Sequence, residues 1–460
     1  MEPFGITPNN HMLSIGYVNR HGLIAGATGT GKTVTLQKIA EGFSRQGIPV
    51  FITDIKGDLS GLAKSGALQG KLKERWEVLR LEEFTPHAPP IEFWDVYGTT
   101  GVPFRTTISE FGPLLLSRFL NLNETQSAVI SVAFKIADKE GLPILDLKDL
   151  KALLSWISEN QKDLKEEFGA LSPQSISAIA RSLMTMDEGF FGEPAVTIDS
   201  FLKVKNGEGV VNILDATKLH LQPQTYAMTL LWLLSELYET LPEVGDTPKM
   251  AFFFDEAHLL FNDAPKILVD RIEQVIRLIR SKGVGVYFVT QSPSDIPETV
   301  LAQLGNRVQH ALRAFTPKDQ KAVKVAAQTF RQNPDLDTEK AITELGIGEA
   351  LVSVLDKSGA PTPVERALII PPHSQVGPIT EVERRSILAA STELPKYKEL
   401  IDRESAHELL AKRADSKLTT SSIGFIGSIG KSVVNTIVRT IGSRIGREIV
   451  RGVLGSISKR

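Results

Sequence analysis

The sequence predicts an α/β protein: a doubly wound, largely parallel sheet that carries an inserted helical subdomain and a C-terminal helical tail. Three observations point there. A strand-like run at residues 22–26 (GLIAG) passes through a glycine-rich turn into a helical segment, and a second buried strand at 48–54 (IPVFITD) follows, which is the spacing of a βαβ unit. Strand-like runs return after residue 206 with helices between several of them. Between these two halves, apolar residues recur at helical spacing.

In chain order, the first part of the core spans residues 1–97, with its helix at about 32–45. The helical insertion spans 98–205. SEFGPLLLSRFLNL and TQSAVISVAFKIADKEG carry its periodicity, and Gly141-Leu142-Pro143 and Leu171-Ser172-Pro173 are its breaks. The second part of the core, 206–385, holds strand-like runs at 209–215, 250–255, 284–290, 308–312, 351–355 and 364–370. Residues 386–460 read as a C-terminal helical region. From residue 417 it holds eight Lys or Arg against one Glu, a local charge of +7, and Ile437, Ile441, Ile445 and Ile449 form an i, i+4 stripe. A helix docking on a neighbouring subunit, a DNA-touching arm, a membrane-surface helix and a solvated tail are all readings of this tail, and the stripe favours docking.

Composition narrows the classes. An apolar content of 42% supplies a large core, and a net charge of −2 supplies no global field for gathering nucleic acid, so DNA contact requires a local basic surface. With no cysteine, disulfide scaffolds, thiolate metal sites and cysteine nucleophiles are excluded. The first residues, MEPFGITPNNHMLSIG, lack the basic and apolar regions of a secretory signal, and no uncharged apolar run approaches the ~20 residues that span a bilayer. The expectation is a cytoplasmic protein without an integral membrane segment.

Gly26-Ala27-Thr28-Gly29-Thr30-Gly31-Lys32-Thr33 matches G-x-x-x-x-G-K-[ST] in full, followed by Val34. The glycines let backbone N–H groups turn toward phosphates, and the helix start adds its dipole. Lys32 places a charge on the β and γ phosphates, and Thr33 offers a hydroxyl to Mg²⁺. In strand–loop–helix context this reads as a P-loop on a RecA-like core, binding ATP and Mg²⁺, against the alternative of an ordinary glycine-rich turn. At the end of the run AFFFDE, Asp255 is placed to hold the metal and Glu256 to act as general base. The alternative for the pair is a cap on the next helix. Gln291, ending VGVYFVTQ, is a candidate γ-phosphate sensor or a turn residue.

GATGTGKT, FFFDEAH and VTQSPSD, in this order, resemble the HerA–FtsK superfamily of ring-forming motor ATPases, which includes conjugative coupling proteins. DIKGDLSG, FWDVYG, FGPLLLSRFLNLNETQ and the basic glycine-rich tail are similar to segments of a bacterial HerA-like family. The resemblance implies ATP hydrolysis by a homo-hexameric ring, a DNA translocase or helicase. The alternative is a regulatory or scaffold ring that assembles a protein complex. It also implies two arginines: Arg20, twelve residues before Lys32, and Arg280, eleven before Gln291, the latter acting across the subunit interface. The plainer reading of Arg280 is a solvated helix residue beside Arg277 and Lys282. Archaeal HerA carries a β-barrel ahead of its P-loop, and the loop here begins at Gly26, so nuclease docking through such a barrel is not expected.

Three weaker candidates complete the reading. Asp54, in DIKGD, either organises the site or caps a turn. Pro371-Pro372-His373-Ser374-Gln375-Val376-Gly377 either closes over the adenine or is a surface turn. His21 and His258 flank the motifs and read as packing residues.

Overall fold

Ten strands make one central sheet in the computed structural model, which describes residues 4–8, 12–13, 15–81, 83–184, 186, 188–245, 247–261 and 266–419. The strands are β1 (Gly22–Ala25), β2 (Val50–Asp54), β3 (Ile91–Asp95), β4 (Val102–Pro103), β5 (Val211–Asp215), β6 (Met250–Phe254), β7 (Val284–Thr290), β8 (Asn306–Gln309), β9 (Glu349–Ser353) and β10 (Glu365–Leu368). Their spatial order is β10-β9-β8-β1-β7-β6-β2-β5-β3-β4. From β8 to β4 every pairing is parallel, whereas β9 and β10 run antiparallel at one edge. The doubly wound expectation therefore holds for the parallel majority, with a mixed edge added.

Local chemistry sets the element ends. Helix α1 (Lys32–Arg45) begins and ends where the sequence placed it. Strand β2 starts at Val50 and not at Ile48, after Pro49, which has no N–H for the ladder. Strand β8 ends at Gln309, and His310 turns in beneath the loop before α1. β3 was not anticipated as a strand: Glu92 breaks its apolar run, and it is buried on the hydroxyl of Ser391 at 2.5 Å. Helix α2 (Gly70–Val78) lies between β2 and β3.

Alternation along β6 builds the core on both faces of the sheet. Phe252 stacks on Phe51 with centroids 4.8 Å apart, while Phe253 points the other way, 4.9 Å from Tyr287 and 6.2 Å from Phe43 of α1. All five rings are buried, each contributing about 2–3 kcal/mol of transfer free energy. A sheet covered on both faces has its strand ends as its accessible working edges.

Contacts divide the chain into two units: Met1–Pro103 with Thr197–Pro395, and Phe104–Val196 with Lys396–Arg460. The second is helical and includes α3 (Ile108–Phe119), α4 (Glu124–Glu140), α5 (Leu147–Glu159), α6 (Gln161–Phe168) and α7 (Pro173–Leu183). Gly141, at φ 64°, closes α4, and Ser172 caps α7 with Pro173 in its first turn, as the sequence breaks imply. The chain from Lys396 joins this unit through Asp149, whose Oδ1 accepts from the Ser405 hydroxyl and the His407 N–H. The isoleucine stripe of the tail lies outside the described residues. Among the described residues no helix is long and apolar enough to cross a membrane.

Candidate functional site

Five side chains singled out in the sequence meet at the C-terminal ends of β1, β6 and β7, within the first unit. The loop between β1 and α1 is shaped by its glycines: Gly26, Gly29 and Gly31 have φ of 153°, 78° and 119°. These values turn successive amides toward the loop's hollow. Lys32 curls over that hollow, its Nζ donating to Gly26 O at 2.7 Å and Ala27 O at 3.1 Å. Burial lowers its pKa, against the opposing pull of Glu256 and Asp255. A bound anion would offer Lys32 stronger acceptors than these carbonyls.

The loop is braced from behind. His310 Nε2 lies 2.8 Å from Thr35 Oγ1 and its Nδ1 2.8 Å from Glu349 O. Burial pushes this imidazole down to about 4, so it is a neutral prop at neutral pH.

Asp255 and Glu256 follow β6 directly. Burial and the Glu256 charge push Asp255 up to about 7. Glu256 adopts φ 47°, a left-handed conformation that costs a non-glycine residue roughly 1–2 kcal/mol. Its carboxylate faces three donors. Lys56 Nζ pairs with Oε1, His258 Nδ1 lies 3.3 Å from Oε2, and Gln291 Nε2 donates to Oε2 at 3.5 Å. Burial opposes its ionisation, but the bonds from His258 and Lys56 outweigh that and hold it at about 2. His258, expected to be a packing residue, is thus a partner of Glu256.

The turn after β2 supplies the rest. Asp54 Oδ1 accepts from Gly57 N at 2.7 Å and Oδ2 from Leu59 N at 3.1 Å, the geometry of a turn cap. That turn projects Lys56 toward Glu256 and Asp58 toward Thr33, whose hydroxyl donates to Asp58 Oδ2 at 3.4 Å. Burial, with Asp58 and Asp255 nearby, pushes Asp54 up to about 7. The oxygen-rich set of Thr33, Asp58 and Asp255 suits a hard divalent cation such as Mg²⁺. Beside it, a cleft of about 630 Å³ opens over Ala27, Thr28, His258 and Gln291, with Arg313 and Phe315 on its other wall.

Arg20 and Arg280 lie elsewhere. Arg280 begins the turn Arg280–Lys282 ahead of β7, and Gln291 follows that strand. Seven residues at ~3.3 Å each put about 20 Å between them. Arg20 precedes β1 at the same edge, its guanidinium 5.5 Å from the Tyr17 ring centre. His21 binds the two segments together: its Nδ1 accepts from Val286 N at 2.9 Å and its Nε2 lies 3.0 Å from Ile276 O, in α8 (Lys266–Ile279). Asn19 Nδ2 adds a bond to Arg280 O at 3.2 Å.

The segment Pro371–Gly377 packs along α1. His373 N and Ser374 N donate to the Glu41 carboxylate at 2.9 and 2.7 Å, and Gln37 Nε2 donates to Gln375 O at 3.1 Å. Lys56, Asp58 and His310 were not singled out from sequence; DIKGD was noted, but only its first acid was given a role.

Residues 6–424 match the protein family described as helicase HerA-like C-terminal. Among solved structures, the bacterial conjugative coupling protein TrwBdeltaN70, in its unbound monoclinic form, is 16% identical with a TM-score of 0.51, covering 82% of this chain and 90% of its own. The plasmid coupling protein TrwB in complex with the non-hydrolysable GTP analogue GDPNP is 15% identical with a TM-score of 0.53, covering 82% and 91%. VirB4 of Thermoanaerobacter pseudethanolicus is 15% identical with a TM-score of 0.47, covering 83% and 97%. No curated protein sequence matches the chain. At these identities the structural likeness concerns the fold, a P-loop RecA-like core.

Proposed function

The chain belongs to the helicase HerA-like C-terminal family, and from that premise we propose that it hydrolyses ATP with Mg²⁺ as a subunit of a homo-hexameric ring motor acting on DNA. The observation that carries this reading is the convergence of Lys32, Thr33, Asp255, Glu256 and Gln291 around one glycine-rich loop. The GDPNP bound to TrwB supports a nucleoside triphosphate in a site of this fold.

In the proposed mechanism, amides of residues 28–34 receive the phosphates and Lys32 exchanges its two loop carbonyls for phosphate oxygens. Thr33 and Asp255 would hold Mg²⁺, with Asp58 accepting the hydrogen bond that the Thr33 hydroxyl donates. Bound there, the ion would supply positive charge to offset the charge that develops on the phosphates. Glu256 takes the proton of the attacking water, and Gln291, whose amide reaches the same carboxylate, orients that water. Arg280, at the opposite edge together with Arg20, serves the nucleotide of an adjacent subunit.

Two measurements test the reading. Lys32→Ala is expected to abolish binding of a fluorescent ATP analogue, and near-normal affinity would refute the phosphate loop. Steady-state hydrolysis with and without double-stranded DNA tests the motor. Stimulation is expected, and hydrolysis indifferent to DNA would leave a regulatory or scaffold ring as the function.

A further inference from the structure

Arg75 stands one residue away from the phosphate loop, although nothing in its sequence context marks it. Gly348 separates the two. Its N–H donates to Thr30 O at 2.8 Å, and a Cβ built on Gly31 would meet its Cα at 3.2 Å. On its other side the Arg75 guanidinium lies so close that any Cβ at residue 348 would overlap it. Gly348 also has φ 74°, so both its conformation and its contacts require glycine.

The surroundings hold Arg75 in place without neutralising it. Trp76, its neighbour on α2, is buried between Phe84 at 5.0 Å and His373 at 5.7 Å. His373 is fixed in turn by Glu41 of α1. Arg75 Nη2 donates to Ile347 O, a neutral acceptor. Glu349, the acid whose charge reaches Arg75, is already held by Arg366 through bonds of 3.3 and 2.6 Å. Among the described residues no carboxylate stands within ion-pair distance of Arg75. A half-buried guanidinium beside a helix N-terminus and short of a counter-ion is suited to an anionic or planar ligand.

Sheet order says which part of the ligand it meets. Glu256 and Gln291 follow β6 and β7, on one side of β1. Gly348 and Arg75 lie on the other side, by β8 and β9. A triphosphate laid along the loop with its terminal phosphate toward Glu256 has its nucleoside end toward the Arg75 side of β1.

We propose that Arg75 is a nucleotide-binding residue that grips the nucleoside end of the bound triphosphate, its α-phosphate with the attached ribose and base, across Gly348. The assignment rests on the phosphate-loop reading given above. Lys is a poor substitute, because a point charge lacks the planar fork that both bonds a phosphate and stacks on a ring.

Titration calorimetry on the full chain tests this with two probes, ATP and inorganic pyrophosphate, which can fill the β and γ positions but lacks both the α-phosphate and the nucleoside. Arg75→Ala should weaken ATP by about 10- to 100-fold. Pyrophosphate should change by less than about threefold, so that the wild-type preference for ATP largely disappears. Arg75→Lys should fall between wild type and Arg75→Ala for ATP. Unchanged ATP affinity in Arg75→Ala overturns the proposal, and so does an equal loss for both probes, which would place Arg75 on the β and γ phosphates. Lys32→Ala separates failure of the underlying site: it should weaken both probes, and a Lys32→Ala protein that binds ATP normally disproves the phosphate loop, whatever Arg75 does. Thermal melting controls for folding, and Arg75→Ala should melt like wild type because the carbonyl it leaves, on the exposed Ile347, can take water.

Discussion

The two edges of the central sheet are built for opposite tasks. At the C-terminal strand ends, glycines with positive φ, a cluster of acids and the cations Lys32 and Lys56 stand beside a cleft. At the N-terminal ends, Asn19 and the neutral His21 tie two arginine-bearing segments together. The first edge can take up a triphosphate and lacks an arginine aimed at its terminal phosphate from among those named in the sequence. The second holds the arginines and has no phosphate loop. The difference teaches that one chain carries its phosphate loop and these two arginines at opposite strand ends, which its own strands keep about 20 Å apart.

The largest expected effect falls on the arginine edge. Arg280→Ala should leave ATP affinity near wild type and lower turnover by about 1,000-fold, since a finger acts when charge spreads over the γ-phosphoryl group. Mixing Arg280→Ala with Glu256→Gln subunits sharpens this. An interface pairing an intact Arg280 with an intact Glu256 should recover activity that neither variant has alone. Mixed assemblies without recovery would place both edges in the service of one subunit, and the comparison would break.

On the other edge, Glu256→Gln should keep ATP bound and slow hydrolysis at least about 100-fold, because an amide cannot take the water's proton. Single-turnover kinetics would report this, and wild-type rates would move the base elsewhere. Lys56→Ala releases one partner that favours the ionised form of the same carboxylate, and we expect the acidic limb of the pH–rate profile to move to higher pH. A profile that does not move would mean that Lys56 leaves Glu256 once nucleotide binds.

The smallest effect concerns stability. Burial pushes His21 down to about 4, below the ordinary 6.5, so the unfolded chain binds more protons between those values and stability falls as pH drops through that window. The loss is roughly 3 kcal/mol at most. Asp54 and Asp255, raised to about 7, act with the opposite sign, since the folded chain then holds the extra protons. A whole-protein curve therefore mixes the two. Denaturant unfolding of wild type and His21→Gln isolates one, and the gap between them should narrow on acidification from pH 6.5 toward 4. A constant gap would mean that His21 stays solvated or protonated.

Much of this was legible because its signals are local. The P-loop needs eight consecutive residues, and α1 and β7 begin and end where the sequence placed them. Glu256 and Gln291 follow apolar runs that can only be buried strands. The missed partners are set by tertiary distance. Lys56 meets Glu256 across 200 positions, His310 meets Thr35 across 275 and Arg75 meets Ile347 across 272. No periodicity encodes such pairs. Strand β3 escaped because a buried glutamate looks like a surface residue until Ser391, 299 positions away, is seen to bond it.

The placement of the two edges also restricts symmetry. In a two-fold dimer each subunit presents the same patch to its partner, so an interface that used one edge would leave the other turned outward. Contact between arginine edge and phosphate edge is instead head-to-tail, and it repeats. Such a contact either closes into a circle, when the rotation per step divides a full turn, or runs on as an open helix. The tilt between neighbours, more than the strength of their contact, then decides between a closed particle and a filament, so a substitution that alters only that tilt could change the assembly's form with every site intact.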